Sequence, residues 1–385
     1  MSVDAATVRA ARLRATRLRE PDLPDVPRAV EHLLAVQGQE LRPTLWGLAC
    51  RIDPAARPGA AAALAALDDG SILRTHVLRP TWHLVRPADA RWLIRLTGPR
   101  VARQMASTEK QWGLGDPGPG IAAVAAEVAD GPRTRPRLAA ALVARGVLDA
   151  DAPGIALTHV LMHAELQQVV VSGPTADGAH AYAAFDDRVP AGYGPLGETF
   201  DREPAVRELW RRWLPGRAYA TVKDLAQWSG LTLTELRAGL APLLDAGEAT
   251  EVPGSGALDG LTLVTTPAVH DDVASAPPSA PPPRGQRAAD LLCAYDELVC
   301  SFGESRHAIA DPRAPEPDRR QAFVHRVLVD GMLTARWRWP GAPPDDDALE
   351  VQWQRDPDAA DRTAVARATA ALGAHLRTSG PVVAP

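Results

Sequence analysis

The chain has 385 residues, of which 46% are hydrophobic and 23% charged, enough for two to four modules with sizeable cores. A mean hydropathy of -0.15 and the lack of any apolar run of about 18 residues exclude a membrane-spanning helix. The net charge of -5 excludes a uniformly basic, nucleic-acid-coating protein and leaves only a polarised surface for phosphate contacts.

The first 20 residues carry Arg9, Arg12, Arg14, Arg17 and Arg19 without the apolar stretch of a secretion signal, so they are expected to form a basic arm on a cytoplasmic protein. Cys50, Cys293 and Cys300 are sparse, odd in number and lack metal-ligand spacing, which fits a reducing compartment. Lys110 and Lys223 are the only lysines, so a Schiff-base enzyme would have few candidate nucleophiles.

The first module is expected over 1–86. Asp25 caps a helix with Pro27 in its first turn, and Val30, Leu33, Leu34 and Gln37 recur at helical spacing. A second helix follows Pro43 and a third, alanine-rich one spans about Gly59 to Leu67. Two extended runs then follow, Ile72 to Leu78 and Thr81 to Val85, joined at Arg79-Pro80.

The order recurs over 87–200, with helices at Arg137 to Arg145 and Pro153 to Gln167 and extended runs at Val169 to Val171 and His180 to Ala184. It recurs again over 201–273. Helix Pro204 to Leu214 precedes Thr221, which caps Val222 to Trp228; Thr232 and Glu235 form a capping box for the next helix, and Ala249 to Val252 and Leu261 to Val264 are extended. Helices followed by a hairpin, three times in order, form a helix-turn-helix signature with a wing. Residues 274–286 read as a Pro/Ala/Ser linker. Over 287–385, extended runs at Ala288 to Cys300, Gln321 to Trp339 and Leu349 to Trp353, a hairpin turn at Asp330-Gly331 and a helix from Ala359 to Thr378 predict a small β-rich domain. The fold class is thus α+β: three tandem winged-helix modules and a β-rich C-terminal domain closed by a helix.

Gln37 stands where the first helix's periodicity asks for an apolar residue, and Gln39 follows two positions later. Two amides that close can converge on one water, accepting and donating hydrogen bonds; an ordinary polar helix C-cap is the plainer alternative. The segments Val36-Gln37-Gly38-Gln39, Leu45-Trp46-Gly47-Leu48, Leu73-Arg74-Thr75 and Leu78 to Val85 (LRPTWHLV) together resemble the AlkZ-like winged-helix DNA glycosylase family. Asp224 to Gly230 (DLAQWSG), Leu291 to Glu297 (LLCAYDE) and Val329 to Trp337 (VDGMLTARW) extend the resemblance over nearly the whole chain.

The resemblance implies three winged helices around a DNA-binding concavity. It also implies excision of N7-alkylated purines, in some members including crosslinks made by natural-product alkylators, with Gln37 and Gln39 as the catalytic pair and alkylation repair or self-resistance as the role. Where the family usually has an aliphatic residue between the glutamines, this chain has Gly38, which is expected to loosen the backbone between the amides. The implied partner is double-stranded DNA containing alkylated purines, bound by a monomer in the cytoplasm near the nucleoid, with no membrane association and no cofactor.

Other residues have two readings each. His83 can contact a phosphate, help place the water or complete a core hydrogen bond, and Trp82 is assigned to the core. Arg79, at the hairpin, can touch the DNA backbone or cap a solvated turn beside Thr81. Asp296 is a structural acceptor or reaches the site, the first being preferred, and Arg338 faces DNA or pairs with an acid. Arg207, Arg211, Arg212, Arg217 and Lys223 are candidate phosphate contacts or a solvated helix face. His159 and His163 are four apart on a helix, a spacing that can bind zinc. The chain has no HExxH pattern and no third ligand of suitable spacing, so no metal is expected. A non-catalytic winged-helix regulator and a metal-dependent hydrolase are the alternatives to the glycosylase.

Overall fold

The computed structural model describes residues 2–176, 179–275, 287–314, 324–339 and 349–377. Its first element is a helix, α1 (Ala5–Ala15), capped by Asp4, whose side chain accepts the Thr7 N–H. This replaces the expected basic arm. Arg12 is fully buried, bonding the Tyr219 and Ser305 carbonyls, with its guanidinium 3.5 Å from the centre of the Phe302 ring. Arg19 pairs with Asp290 at 2.9 Å. The N-terminal arginines therefore fasten α1 to the later parts of the chain.

The order helix, strand, helix, helix, strand, strand then appears in α2 (Val26–Leu33), β1 (Ala35–Gln37), α3 (Leu41–Ala49), α4 (Ala60–Asp68), β2 (Leu73–His76) and β3 (Trp82–Val85). These strands form an antiparallel sheet in the order β1-β3-β2. The helix that was expected to run through Gln37 ends at Leu33, because Leu34 takes a left-handed φ of +66°. The chain then enters β1, where Ala35 packs in the main core and Val36 in the core of this first unit. Gln37 is thus a strand residue on the same face as Ala35.

A 26-residue helix, α5 (Pro87–Trp112), follows, longer than anything the sequence pattern suggested. The second repeat of the order is α6 (Gly118–Val128), β4 (Arg133–Thr134), α7 (Arg135–Ala144), α8 (Gly154–Leu166), β5 (Val170–Ser172) and β6 (Ala181–Ala184), with the sheet order β4-β6-β5. After the short α9 (Phe185–Arg188) comes the third: α10 (Arg202–Trp213), α11 (Val222–Ser229), α12 (Leu233–Asp245), β7 (Thr250–Pro253) and β8 (Thr262–Thr265). Here a single bridge from Ala220 to Val264 stands for the first strand. Both expected caps are present: Thr221 with Asp224, and Thr232 with Glu235, form capping boxes.

Helix α13 (Pro267–Ser275) leads to the expected linker, of which 276–286 lie outside the described residues. In the last part, β9 (Ala289–Leu292), β10 (His325–Val329), β11 (Met332–Arg338) and β12 (Glu350–Trp353) make a sheet in the order β12-β11-β10-β9, closed by α15 (Ala359–Arg377). The β10–β11 turn has φ of +51° at Asp330 and +78° at Gly331, the two left-handed residues that the Asp-Gly signal calls for. The run to Cys300 is not extended throughout. Asp296 caps a short helix, α14 (Glu297–Cys300), accepting the Leu298 N–H. Gln321 to Phe323 fall outside the described residues.

The parts do not pack as beads. The main core joins residues of the first and third repeats, α5 and the C-terminal part, with Trp92, Trp210, Trp213 and Trp228 fully buried in it. Trp46 of α3 sits instead in the core of the C-terminal sheet, where its Nε1–H donates to the Leu291 carbonyl at 3.0 Å.

Candidate active site

Gln37, His83 and Thr75 lie level across the first sheet, because Gln37 pairs with His83 on one side of β3 and Thr75 pairs with His83 on the other. Burial is nearly complete at Gln37 and complete at His83. From the turn after β2, Arg79 Nη2 donates to Gln37 Oε1 at 2.8 Å and lies 3.3 Å from His83 Nε2. His83 Nδ1 is 2.9 Å from the Thr81 carbonyl, which only an Nδ1–H can satisfy. The Nε2 lone pair therefore faces Arg79. Burial, and then the Arg79 charge, hold the His83 pKa well below the ordinary imidazole value, so the ring is neutral at pH 7.

Gln39 is on the other side of the rim. It is exposed, and its Oε1 accepts the Trp82 N–H at 3.3 Å. Between the amides, Gly38 is clamped: its N–H donates to the Trp82 carbonyl at 2.7 Å and its carbonyl accepts Arg74 Nε at 3.0 Å. Arg74 Nη2 also reaches the Gln39 carbonyl, and the guanidinium stacks 4.3 Å from the centre of the Trp82 ring. The expected looseness at Gly38 is thus absent. Glycine is there for room, since a Cβ would come within 3.1 Å of Leu84 Cγ.

A buried ion pair supports the site from below. Glu297 Oε1 accepts the Gln37 N–H at 3.2 Å, while Oε2 accepts Arg217 Nη2 and Trp228 Nε1 at 2.7 Å each and Ser301 Oγ at 2.8 Å. Beside it, Asp296 takes two bonds from Arg51, at 2.8 and 3.1 Å, so the preferred structural reading of Asp296 fits its surroundings. A Cβ on Gly47 would stand 3.2 Å from Asp296 Oδ2, which accounts for the glycine in Leu45-Trp46-Gly47-Leu48.

Beside Gln37 and His83, on the same sheet face or in the turn that follows β2, Thr75 Oγ1, Arg79 Nε and Thr81 Oγ1 have no hydrogen-bond partner, while the unpartnered Trp82 Nε1 belongs to the opposite face with Arg74 and His76. Such atoms are rare in native interiors and cluster where a ligand or water completes the shell. Lys110 and Lys223 are exposed, and burial raises the Cys50 and Cys300 thiols to about 12.

The remaining candidates lie elsewhere. Arg338 is exposed on β11 and pairs with Glu350. Of the proposed phosphate contacts, Arg217 is corrected: it lies past the end of α10, fully buried, where its guanidinium bonds Glu297, Ser301 and the Leu33 carbonyl, so it does not face DNA. Arg212 is committed to Asp89, with bonds of 3.1 and 3.0 Å. Arg211 pairs with Glu248 and Lys223 with Glu304, both at the surface, and Arg207 is half-buried. His159 and His163 do acquire a third potential ligand, Glu109, from a helix about 50 residues upstream, contrary to the expectation from sequence spacing. Arg74 and Glu297 both stand inside segments that carry the resemblance, but neither has a motif spacing that marks it as a support of the Gln37 segment.

The profile of the family described as DNA glycosylase AlkZ-like matches residues 30–375. Among solved structures, the DNA glycosylase AlkZ of Streptomyces sahachiroi superposes with a TM-score of 0.75 at 20% identity, covering 100% of this chain and 99% of that one. At that identity the likeness is one of fold. The comparison with curated proteins gives no match.

Proposed function

We propose, on the premise that the chain belongs to the AlkZ-like DNA glycosylase family and is a DNA glycosylase, that it hydrolyses the N-glycosidic bond of N7-alkylated purines with a water placed by Gln37 and Gln39. The observation that carries this reading is the pair of amides two residues apart, one buried and fixed by Arg79 beside the unpartnered Thr75, Arg79 and Thr81 atoms, the other exposed. Each repeat of helix, strand, helix, helix, strand, strand is read as a winged helix, with units at 1–86, 87–200 and 201–273 and a fourth, β-rich unit at 287–385.

The chemistry needs little more. An N7-alkylated guanine is already cationic and leaves without a strong acid. Its departure makes an oxocarbenium-like sugar, as in glycoside hydrolysis. A carbonyl oxygen has two lone pairs, so Gln37 Oε1 can hold a water while still bonded to Arg79, and Gln39 Oε1 can do the same beside Trp82. Those fixed dipoles also favour the developing cation without reorganising. With only two lysines in the chain, few amines are available to form a Schiff base, and the reaction ends at the abasic sugar with no lyase step. A bulky adduct or a crosslink is accommodated because Gln39 is at the surface, which extends the reading to unhooking.

Base release from duplex DNA carrying N7-methylguanine tests the proposal, with wild type compared with Gln37→Ala and Gln39→Ala. Release by wild type, lost in both variants while duplex binding is kept, is the expected result. Equal release by all three would remove the glutamines from the mechanism. Tight binding without release, on this lesion and on a bulky N7 adduct, would favour a non-catalytic DNA-binding role.

A further inference from the structure

Helix α5 ends in a turn that carries Glu109, closed by Gly113 in the left-handed region with φ of +61°. Helix α8 packs along it and presents His159 and His163 one turn apart on one face. The three side chains meet. His163 Nε2 lies 2.8 Å from Glu109 Oε1, His159 Nδ1 lies 3.5 Å from the same oxygen, and the imidazole centroids are 4.7 Å apart. One donor atom from each residue falls within 4.8 Å of the others.

The geometry around His159 suits a cation between its Nδ1 and Glu109. His159 is 95% buried, and its Nε2 is 3.3 Å from the Gly115 carbonyl, so the ring proton is on Nε2. The Nδ1 lone pair is then left against a carboxylate oxygen, and Nδ1 has no hydrogen-bond partner. A lone pair facing an anion inside protein is unfavourable unless something positive lies between them.

We infer that Glu109, His159 and His163 bind a zinc-class divalent ion that fastens the far end of α5 to α8. Two imidazoles and one carboxylate suit zinc far better than magnesium or calcium, which prefer all-oxygen shells. Metal–ligand bonds of about 2.0–2.2 Å place tetrahedral donor atoms about 3.4 Å apart, so the present spacings close with sub-ångström side-chain shifts. The Gly115 carbonyl already holds the outer nitrogen of His159, the second contact that metal-bound histidines usually make. His163 binds through Nε2 once its proton moves to Nδ1. Glu109 is partly exposed, so the fourth position faces solvent and takes a water. The site is separate from the Gln37 group, and its role is structural.

The test uses the full chain, stripped with EDTA and titrated with zinc chloride and with cobalt chloride. Wild type is expected to bind one equivalent of zinc, to show the visible bands of four-coordinate cobalt, and to gain several degrees in Tm with zinc. Glu109→Gln and His163→Gln are expected to lose all three, with magnesium inert throughout. The inference is overturned if wild type binds no zinc at millimolar concentration, or if folded variants bind as wild type does. Should neither variant fold, the wild-type cobalt spectrum decides: four-coordinate bands support the site, and a six-coordinate or silent spectrum sinks it.

Discussion

Replacing Arg79 by Met separates a residue that positions Gln37 from one that merely touches DNA. The side chain keeps its stem and loses two contacts, the 2.8 Å bond to Gln37 Oε1 and the 3.3 Å approach to His83 Nε2. A hydrogen bond from a charged donor is worth about 1.5–3 kcal/mol. If that fixation is expressed in the transition state, excision slows by about 10- to 150-fold. A second effect follows from charge. Arg79 helps depress the His83 pKa, so its removal lets that pKa rise, although burial still opposes the charged ring. Single-turnover release of N7-methylguanine should therefore be flat with pH through the histidine range in wild type and fall on the acid side in Arg79→Met. Duplex affinity, read by fluorescence anisotropy, should change little. The double variant with Gln37→Ala should be no slower than Gln37→Ala alone, since the two residues would act as a unit. Additive losses, or weaker duplex binding at an unchanged single-turnover rate, would refute the positioning role and leave Arg79 as a phosphate contact.

Glu297→Gln should lower stability by about 3–5 kcal/mol in urea unfolding, because it strands the Arg217 guanidinium without its counter-charge; a loss below about 1 kcal/mol would show that the pair is not holding the core together. Gly38→Ala should cost about 1–3 kcal/mol, because Leu84 must give way to the new Cβ, and should slow excision by shifting Gln39; an unchanged Tm would contradict the crowding. The His32, His83, His159, His180 and His375 pKa values are all lowered, His180 to about 3. The unfolded chain then binds more protons below pH 6.5, so stability is complete above that pH and is lost as pH falls toward 3. Equal urea midpoints at pH 7.5 and 5 would contradict this. Lys223→Ala, at the surface beside Glu304, should weaken duplex binding alike for all sequences and reduce the salt slope by about 0.9 if it meets a phosphate; an unchanged slope would leave it a surface ion pair.

Where the sequence was legible, local chemistry decided the outcome. The capping boxes at Thr221 and Thr232, the Asp330-Gly331 turn and the ends of α8 depend on neighbours within a few residues, and they are found where expected. Three elements escaped because something distant overrode the local pattern. Leu34 adopts a left-handed φ with no glycine to announce it, since burial of Ala35 and Val36 in two different cores turns the helix into a strand. The N-terminal arginines looked like a free arm, because no periodicity reveals that Arg12 enters the interior beside Phe302. The metal-ligand geometry needed Glu109, whose distance from the two histidines along the chain hides their meeting on facing helices. The glutamine pair was visible as an anomaly; what holds it was not, because Glu297 and Arg74 come from other segments.

The arginine-rich composition and the acidic net charge are reconciled by where the arginines point. Arg12, Arg51 and Arg217 are fully buried with carbonyl or carboxylate partners, and Arg74 is nearly so. Arginine suits these places because its planar fork satisfies several acceptors at once and stays charged when desolvated. Two of them, Arg74 and Arg217, end on the backbone or the support of the Gln37–Gln39 segment. A buried ion pair contributes little net stability compared with apolar packing, but it fixes geometry, because any displacement leaves a charge unpaired. A reaction that asks mainly for one water in one place gains more from such fixation than from a strong base. The internal use of arginine therefore fits the catalytic role proposed for the Gln37–Gln39 segment, whereas a simple duplex-binding surface would keep those cations outside.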